Sequence, residues 1–317
     1  MPMLDMPLEE LKKYKGINPC PDDLDEYWKK AKKEADVVDL NIELKKIEYP
    51  VQSIDAYHLY FNGTKNAKIH ALYVKPKNIS KPTPCVLEFH GYTMNCGTIE
   101  SKIKWTALGY QVISMDCRGQ GGHSIDPGYE VFHTLHGHIV RGIENDDTLM
   151  YKHIFLDTYL LAKIAAFFDD INKEKLMTTG GSQGGALSIA CAALYTDIKK
   201  VAANYPFLCD YKRAWDMDCE SAFDEIKDWF RRFDPAHERV DEIFTRLGYI
   251  DLKNLAPRIK AELIVSTGLL DNMCPPSTVF AMYNNLKCKK KIFVYPDFKH
   301  EHIPHWEEEC FKFLSSI

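Results

Sequence analysis

The sequence predicts an α/β fold, in which helices cover both faces of a mainly parallel central sheet. The first reason is a series of short, nearly continuous apolar runs with helix-like stretches between several of them, a pattern typical of buried parallel strands joined by crossover helices. The second is a glycine-rich turn that separates one such run from an apolar helix. With 317 residues, of which 45% are hydrophobic, the chain can enclose a large core. We expect a single domain over residues 1–317.

Residues 1–80 are predicted to form an extension ahead of the main sheet. The stretch PDDLDEYWKKAKKEADVV indicates a polar helix that Asp22 and Asp23 are well placed to start. The stretch AYHLYFNGTKNAKIHALYVKPK contains two alternating runs around Asn62–Gly63, which is typical of an antiparallel hairpin. The extension is therefore expected to contribute one helix and one hairpin.

Six apolar runs are predicted as strands of the main sheet. They are PCVLEFHG, YQVISMDCRG, KLMTTGG, KKVAANYP, AELIVSTG and KKIFVYP, and FLDTYLLAKIAAFF is one of the helices between them. Two segments, 123–153 and 211–252, break this alternation. We expect both to be insertions that roof a site at the C-terminal edge of the sheet, where open α/β folds bind ligands.

Four glycines surround a single serine in this chain: Gly180, Gly181, Gly184 and Gly185 flank Ser182. Glycine is needed where φ is positive or where two backbones approach closely. An apolar run precedes the turn and a small-residue helix follows it, so the segment predicts the strand, turn and helix of the nucleophile elbow of α/β-hydrolases. The alternative is a glycine-rich turn with an incidental serine.

A nucleophilic serine needs a base and a carboxylate that orients the base, and in this fold they follow the serine in the order acid, then histidine. Asp271 follows the run AELIVSTG, and His300 follows the last run. Asp297 competes with Asp271 but lies only three residues from His300, whereas a carboxylate on the neighbouring strand approaches the imidazole better. His302 and His305 are the alternative bases, although both lie where the C-terminal helix is expected to begin.

The reaction also needs donors for the oxyanion of the tetrahedral intermediate. The backbone N–H of Gln183, directly after the serine, is one candidate. The second is the N–H of Tyr92, in the loop that follows the run PCVLEFHG, where His90 and Gly91 permit the turn. The alternative for this segment is an ordinary strand-to-loop turn.

Three elements in register resemble the acetyl xylan esterase/cephalosporin-C deacetylase family, carbohydrate esterase family seven. They are Arg118–Gly119–Gln120, the GGSQG elbow at 180–184, and the pair His300–Glu301. The opening MPLEELKKYKGINPCPDDLDEYW is also similar to that family, as are GHIVRG, YPFLCDYKRAWD and LDNMCPPSTVFAMYNN. The resemblance covers essentially the whole chain.

This resemblance implies an α/β-hydrolase in which Ser182 is the nucleophile, His300 the general base and Asp271 the orienting acid. It implies that the N–H groups of Tyr92 and Gln183 bind the oxyanion and that Tyr92 contacts substrate. It further implies that Arg118 and Gln120 hold loops near the elbow without taking part in the chemistry.

The resemblance implies a carboxylic ester hydrolase that deacetylates short acetylated xylo-oligosaccharides, and also cephalosporin C, through an acetyl-enzyme. It also implies a cytoplasmic, ring-like homohexamer with active sites facing an inner cavity. No metal or organic cofactor is expected. His133, His136 and His138 lie close together as metal ligands do, but a fourth ligand and a metalloprotease helix motif are missing.

Charge and composition argue against several other classes of function. The net charge of −5 favours neither a nucleic-acid nor a membrane-surface partner, and no apolar run is long enough for a signal peptide or a transmembrane helix. The ten scattered cysteines are expected to be reduced thiols of a cytoplasmic protein. A general short-chain esterase remains open, as does a serine peptidase, which typically carries a large propeller or cap domain. A non-catalytic binding protein would be expected to lack one member of the triad.

Overall fold

The computed structural model describes residues 4–128 and 137–317, and the strands in these residues form one sheet. The strands are β1 (Glu43–Ile47), β2 (Ile54–Asn62), β3 (Lys68–Pro76), β4 (Thr83–Phe89), β5 (Gln111–Met115), β6 (Ile171–Gly181), β7 (Lys200–Asn204), β8 (Glu262–Gly268) and β9 (Lys290–Tyr295). Their order across the sheet is β1-β2-β3-β5-β4-β6-β7-β8-β9.

The α-helices in the described residues range in length from four to 18 residues. They are α1 (Leu8–Leu11), α2 (Leu24–Asp36), α3 (Ile103–Thr106), α4 (Met150–Phe167), α5 (Gln183–Leu194), α6 (Tyr211–Asp216), α7 (Asp224–Phe233), α8 (Val240–Leu247), α9 (Leu252–Leu255), α10 (Pro276–Asn285) and α11 (Pro304–Ser315).

The sheet is mainly parallel, and the predicted fold class is confirmed. Strands β1, β2 and β3 are antiparallel, and β3 pairs antiparallel with β5. From β5 through β4 to β9 every neighbouring pair is parallel. Each of the six apolar runs overlaps one of these parallel strands, and β2 and β3 form the expected hairpin. The carboxyl ends of β4, β6, β7, β8 and β9 therefore meet at one edge.

Helices pack on both faces of the sheet because successive residues of each strand point to opposite sides. In β4, Leu87 belongs to the core under α2, α4 and α5, whereas its neighbour Val86 belongs to the core under α3 and α11. Every residue of α5 is buried. Its small side chains let the helix approach the sheet closely, and that approach positions the turn before it.

The segment 211–252 forms α6, α7 and α8, and it contacts the other segment that breaks the βα alternation. Arg239 forms a bidentate ion pair with Glu144, with a shorter distance of 2.7 Å, and Arg246 donates to Asp146 at 2.7 Å. Helix α4 begins at Met150, so the last residues of the predicted insertion 123–153 belong to that helix. The two segments are thus joined by ion pairs beside the C-terminal edge.

Candidate active site

Ser182 lies in a sharp turn between the last residue of β6 and the first residue of α5. Its backbone has φ 56° and ψ −120°, which is a costly conformation for a residue with a side chain. The Ser182 amide donates to the Asn204 carbonyl at 3.0 Å. The Ser182 carbonyl accepts from the Ala186 and Phe207 amides at 3.0 and 3.1 Å. Strand, strained turn and helix together have the geometry of a nucleophile elbow.

The glycines of the turn differ in how strictly the backbone requires them. A Cβ atom at Gly184 would lie 2.0 Å from the Phe89 carbonyl oxygen, and one at Gly180 would lie 2.5 Å from the same atom. At Gly181 the nearest atom would be 3.5 Å away, on the Tyr205 ring, which is an ordinary contact. The two outer glycines of G-x-S-x-G are therefore required by the close approach of β4, whereas the position between Gly180 and the serine can hold a side chain.

Asp271 and His300 come from the loops after β8 and β9 and meet at the edge of the sheet. His300 Nδ1 lies 2.8 Å from Asp271 Oδ2, with the carboxylate fully buried and the imidazole 15% exposed. The second carboxylate oxygen accepts from the amides of Met273 and Cys274 at 2.9 and 2.8 Å. Because an ionised carboxylate only accepts, Nδ1 carries the proton and Nε2 keeps a lone pair that can accept a proton.

Cys274 and Tyr205 connect this pair to the serine. Burial raises the pKa of the Cys274 thiol well above its usual range and the charge of Asp271 adds to the rise, whereas a hydrogen bond with the Ser182 side chain acts in the opposite direction. The Tyr205 ring packs on the His300 ring with centroids 4.5 Å apart. Tyr205 directly follows Asn204, whose carbonyl binds the Ser182 amide. The end of β7 therefore contacts both the elbow and the imidazole.

Gln183 and Gln120 form a reciprocal amide pair behind the elbow. Gln120 Nε2 donates to Gln183 Oε1 at 2.8 Å, and Gln183 Nε2 donates back to Gln120 Oε1 at 3.0 Å. The Tyr151 hydroxyl also donates to Gln183 Oε1 at 2.8 Å, and Gln120 Oε1 accepts from the Thr93 amide at 2.9 Å. The pair thus joins the elbow to the loop that carries Tyr92.

Arg118 is fully buried and forms a bidentate ion pair with Asp157 of α4. Its Nε and Nη2 atoms lie 2.7 and 2.6 Å from the two carboxylate oxygens, and Nη1 donates to the Thr64 carbonyl at 3.0 Å. Gly119, at φ 68°, turns the chain so that Gln120 can reach the elbow. Arg118 therefore anchors the loop, and Gln120 places its side-chain amide against Gln183 of the elbow. Both side chains contact protein groups.

Two backbone contacts hold the loop after β4 near the elbow. The Cys117 amide donates to His90 Nε2 at 2.9 Å, so Nδ1 carries the proton and bonds the Gly91 carbonyl at 2.7 Å. Burial lowers the pKa of His90, which favours this neutral form. The Met94 amide donates to the Gly91 carbonyl at 3.1 Å and closes the turn that contains Tyr92.

The Tyr92 side chain is tied to Glu225 of α7, a carboxylate that sequence reasoning missed. The Tyr92 hydroxyl hydrogen-bonds Glu225 Oε1, and the same hydroxyl accepts from the His138 amide at 2.9 Å. Glu225 Oε2 accepts from the Ile139 amide at 2.7 Å. Burial raises the pKa of Glu225 to about 7, and its hydrogen bonds oppose that rise. Only the acidic, aromatic composition of the segment around residue 225 could have pointed to this carboxylate.

The remaining predicted residues have partners other than Asp271 and His300. Glu301 accepts from the Lys299 amide at 2.9 Å and is exposed. His302 lies 3.3 Å from Glu307, and His305 Nδ1 lies 2.9 Å from the Tyr295 hydroxyl. His138 packs on the Tyr92 ring. His133 and His136 lie outside the described residues.

The arrangement can carry out acyl transfer, since it offers a half-buried turn with a hydroxyl, an oriented imidazole and a buried carboxylate. The amide of Gln183 belongs to the first turn of α5, where backbone N–H groups have no acceptor within the helix. Among the residues described, no helix combines the length and the apolar character that crossing a bilayer requires.

The sequence profile of the acetyl xylan esterase family (AXE1) matches residues 1–317. The structure is similar to that of acetyl xylan esterase 1 from Thermoanaerobacterium sp. JW/SL YS485, with 48% identity, a TM-score of 0.97 and 99% of each chain covered. It is also similar to an acetyl xylan esterase from Paenibacillus sp. R4, with 33% identity, a TM-score of 0.95, and coverage of 98% of this chain and 99% of that one.

Among curated proteins, the acetyl esterase Axe7A of Xylanibacter ruminicola is 25% identical over 290 residues. The match covers 88% of this chain and 63% of the relative. The chain thus spans less than two thirds of that relative's length.

Proposed function

The chain belongs to the acetyl xylan esterase family, with an α/β-hydrolase fold, and on that premise we propose that it is a serine carboxylesterase that removes acetyl groups from short acetylated xylo-oligosaccharides. The observation that carries the proposal is the pair of Asp271 and His300, 2.8 Å apart, at the same sheet edge as the strained Ser182 turn. A buried carboxylate that fixes an imidazole beside an elbow serine supports acyl transfer.

In the proposed mechanism, Ser182 attacks the acetyl carbonyl while His300 Nε2 takes its proton. Asp271 keeps the proton on Nδ1 and stabilises the charged imidazolium that forms. The collapse of the tetrahedral intermediate expels the sugar, which His300 protonates. Water then enters, His300 removes its proton, and hydrolysis of the acetyl-enzyme regenerates Ser182 and releases acetate.

The N–H groups of Tyr92 and Gln183 are proposed as the donors that bind the oxyanion. The position of Gln183 at the start of α5 supports this role, since the helix dipole also favours negative charge there. Arg118, Gly119 and Gln120 are proposed to position these donors, because the Gln120 amide bridges the Thr93 amide and the Gln183 side chain. None of the three is proposed to contact substrate.

The finer assignments rest on the family resemblance. We propose that cephalosporin C, which also carries an acetate ester on a small leaving group, is a second substrate. We further propose that the protein is a cytoplasmic homohexamer whose active sites face an inner cavity. Light scattering tests the assembly: six chains of 36.5 kDa correspond to about 219 kDa, and a smaller particle would contradict the hexamer.

The experiment that tests the proposed function compares substrate classes on one protein preparation. Hydrolysis of p-nitrophenyl acetate and of acetylated xylobiose is measured beside cleavage of a peptide anilide, and each assay is repeated with Ser182→Ala. The proposal expects acetate release from both esters, no anilide cleavage, and loss of both ester activities in the variant. Anilide cleavage would favour a peptidase, and the absence of all three activities would favour a binding protein.

A further inference from the structure

Three histidines outside the proposed triad form a cluster at strands β2 and β3. His58 lies on β2, His70 on the neighbouring strand β3, and His123 in the loop that follows the RGQ element. Their ring centres are 5.1 Å (His58–His70), 5.8 Å (His58–His123) and 4.9 Å (His70–His123) apart. His70 is buried, His58 half-buried and His123 exposed. The cluster therefore opens to solvent on the side of His58 and His123.

A buried carboxylate fixes where the protons of this cluster lie. His70 Nδ1 is 2.6 Å from Asp116 Oδ2, and the amides of Cys96 and His123 donate to the same carboxylate at 2.6 and 2.8 Å. Because an ionised carboxylate only accepts, His70 Nδ1 carries the proton and His70 Nε2 is an acceptor. The side chain of His70 is thus committed to one tautomer.

The tautomer of His58 follows from that of His70. His58 Nδ1 lies 2.9 Å from His70 Nε2. Since His70 Nε2 accepts, His58 Nδ1 is the donor, and the remaining nitrogen of His58, Nε2, carries a lone pair and no proton. The hydrogen-bonded chain from Asp116 through His70 to His58 ends on the unprotonated Nε2 of His58, which is a half-buried residue.

This arrangement matches what a transition metal requires of histidine ligands. A metal-bound imidazole typically donates its other N–H to a partner that fixes its orientation and raises its basicity. With metal–nitrogen bonds of about 2.1 Å, two imidazoles on one tetrahedral ion have ring centres roughly 5 Å apart. The separation of 5.8 Å between His58 and His123 is close to that value, and the exposed His123 ring can rotate toward the ion.

We propose that His58 Nε2 and the His123 imidazole form a surface site for a divalent transition ion of the Zn²⁺, Ni²⁺ or Cu²⁺ type, with water completing the coordination. Asp116 and His70 are positioning residues for this site. Borderline ions of this type prefer imidazole, whereas Mg²⁺ and Ca²⁺ prefer oxygen ligands and are not expected to bind.

The buried group His70, Cys96 and Asp116 also has ligand atoms within 4.8 Å of one another. An ion there would have to break the hydrogen bond between His70 and Asp116 and to compete with the two amides on the carboxylate. An ion held between His58 and His123 would break none of these hydrogen bonds, so this pair is the favoured site.

An ion bound by His58 and His123 would link the loop after the RGQ element to β2. His123 follows Gln120 by three residues, and the amide of Gly121 between them donates to the Met94 carbonyl at 3.1 Å. An ion that bridges His123 and His58 would restrain this loop. A ligand that binds only the folded state raises its stability, so Zn²⁺ is expected to raise the melting temperature.

The test uses the full-length protein and needs no esterase assay. Zn²⁺ and Ni²⁺ are titrated by calorimetry into the wild type, His123→Ala and His58→Gln, with Mg²⁺ as the negative control. His302→Ala is the matched control, since His302 is also an exposed histidine near a carboxylate. The proposal expects one site whose affinity falls at least about tenfold in both cluster variants and stays unchanged in His302→Ala.

Electron paramagnetic resonance with one equivalent of Cu²⁺ identifies the ligands, because nitrogen hyperfine lines report coordinated imidazoles. The proposal expects two imidazole nitrogens in the wild type and one in His123→Ala. Wild-type affinity in both cluster variants, or no Zn²⁺ binding by the wild type, would overturn the proposal. Because no readout involves hydrolysis, failure here is distinguishable from failure of the proposed esterase function.

Discussion

At the scale of single residues, the proposed chemistry depends on where three side chains leave the sheet. Ser182, Asp271 and His300 each follow a parallel strand, so their positions could be predicted from chain order and from local turn chemistry. The contact between Glu225 and Tyr92 could not be predicted, because the two residues lie 133 positions apart in the chain. Tyr205 could not be predicted as a neighbour of His300 either, since nothing local indicates which ring packs on the imidazole.

The base can be identified by comparing three nearby histidines. We expect His300→Ala to lower kcat for p-nitrophenyl acetate at least about a thousandfold, because His300, unlike His302 and His305, hydrogen-bonds Asp271 and triad members act as a unit. His302→Ala and His305→Ala, whose rings bind Glu307 and Tyr295, should stay within about tenfold of the wild type. If His302→Ala or His305→Ala is the inactive variant, the assignment of the base is wrong.

At the scale of elements, the elbow depends on how closely α5 approaches β4. We expect Gly184→Ala to lower the free energy of unfolding by about 3 kcal/mol or more, because its Cβ would lie 2.0 Å from the Phe89 carbonyl and neither backbone can yield cheaply. The matched variant Gly181→Ala, with a nearest contact of 3.5 Å, should change it by less than about 1 kcal/mol. Guanidinium denaturation measures both values, and equal losses would contradict the close approach.

Helix α7 is joined to the loop after β4 through Glu225, and this contact predicts a pH dependence of stability. The pKa of Glu225 rises from an ordinary 4.5 to about 7 because the carboxylate is buried. The folded protein then binds a proton that the unfolded chain releases, so stability falls as pH rises from about 4.5 through about 7. At about 1.4 kcal/mol per pKa unit, the contribution is about 3 kcal/mol.

Glu225→Gln removes this titration. We expect the free energy of unfolding of the wild type, measured relative to Glu225→Gln, to decrease between pH 5 and pH 8. Asp228→Asn, an exposed carboxylate of the same helix, serves as the control and should leave the pH dependence unchanged. A difference between the wild type and Glu225→Gln that stays constant across this range would show that Glu225 has an ordinary pKa.

At the scale of the whole molecule, apolar runs and their spacing suffice to predict a mainly parallel sheet. The order of the strands could not be predicted in the same way, because the antiparallel attachment of β3 to β5 depends on contacts distant in sequence. The contact between the segments 123–153 and 211–252 was also unpredictable. It depends on ion pairs such as Arg239–Glu144, and any exposed charge on either segment could have formed one.

Restricted access predicts which substrates the molecule accepts. Ion pairs join the two segments beside the C-terminal edge, and proposed neighbouring subunits would narrow the entrance further. Acetates of small sugars should therefore be cleaved much faster than butyrate or longer esters, and faster per acetyl group than polymeric acetylated xylan, since steric exclusion rejects larger groups firmly. Values of kcat/KM for octanoate equal to those for acetate would contradict the acyl limit, and equal rates on polymer would contradict restricted access.

The central claim, that Ser182 is the nucleophile of an acyl transfer assisted by His300 and Asp271, is tested most directly by covalent labelling. The full-length protein is inactivated with a serine-directed organophosphate, and the adduct is located by intact mass and peptide mapping, with Ser182→Ala and Ser188→Ala in parallel. We expect one adduct per chain on Ser182, loss of activity in proportion to labelling, no adduct in Ser182→Ala, and wild-type labelling of Ser188→Ala, whose hydroxyl only bonds the Gly184 carbonyl. Inactivation without an adduct on Ser182, or wild-type turnover by Ser182→Ala, would contradict the assignment.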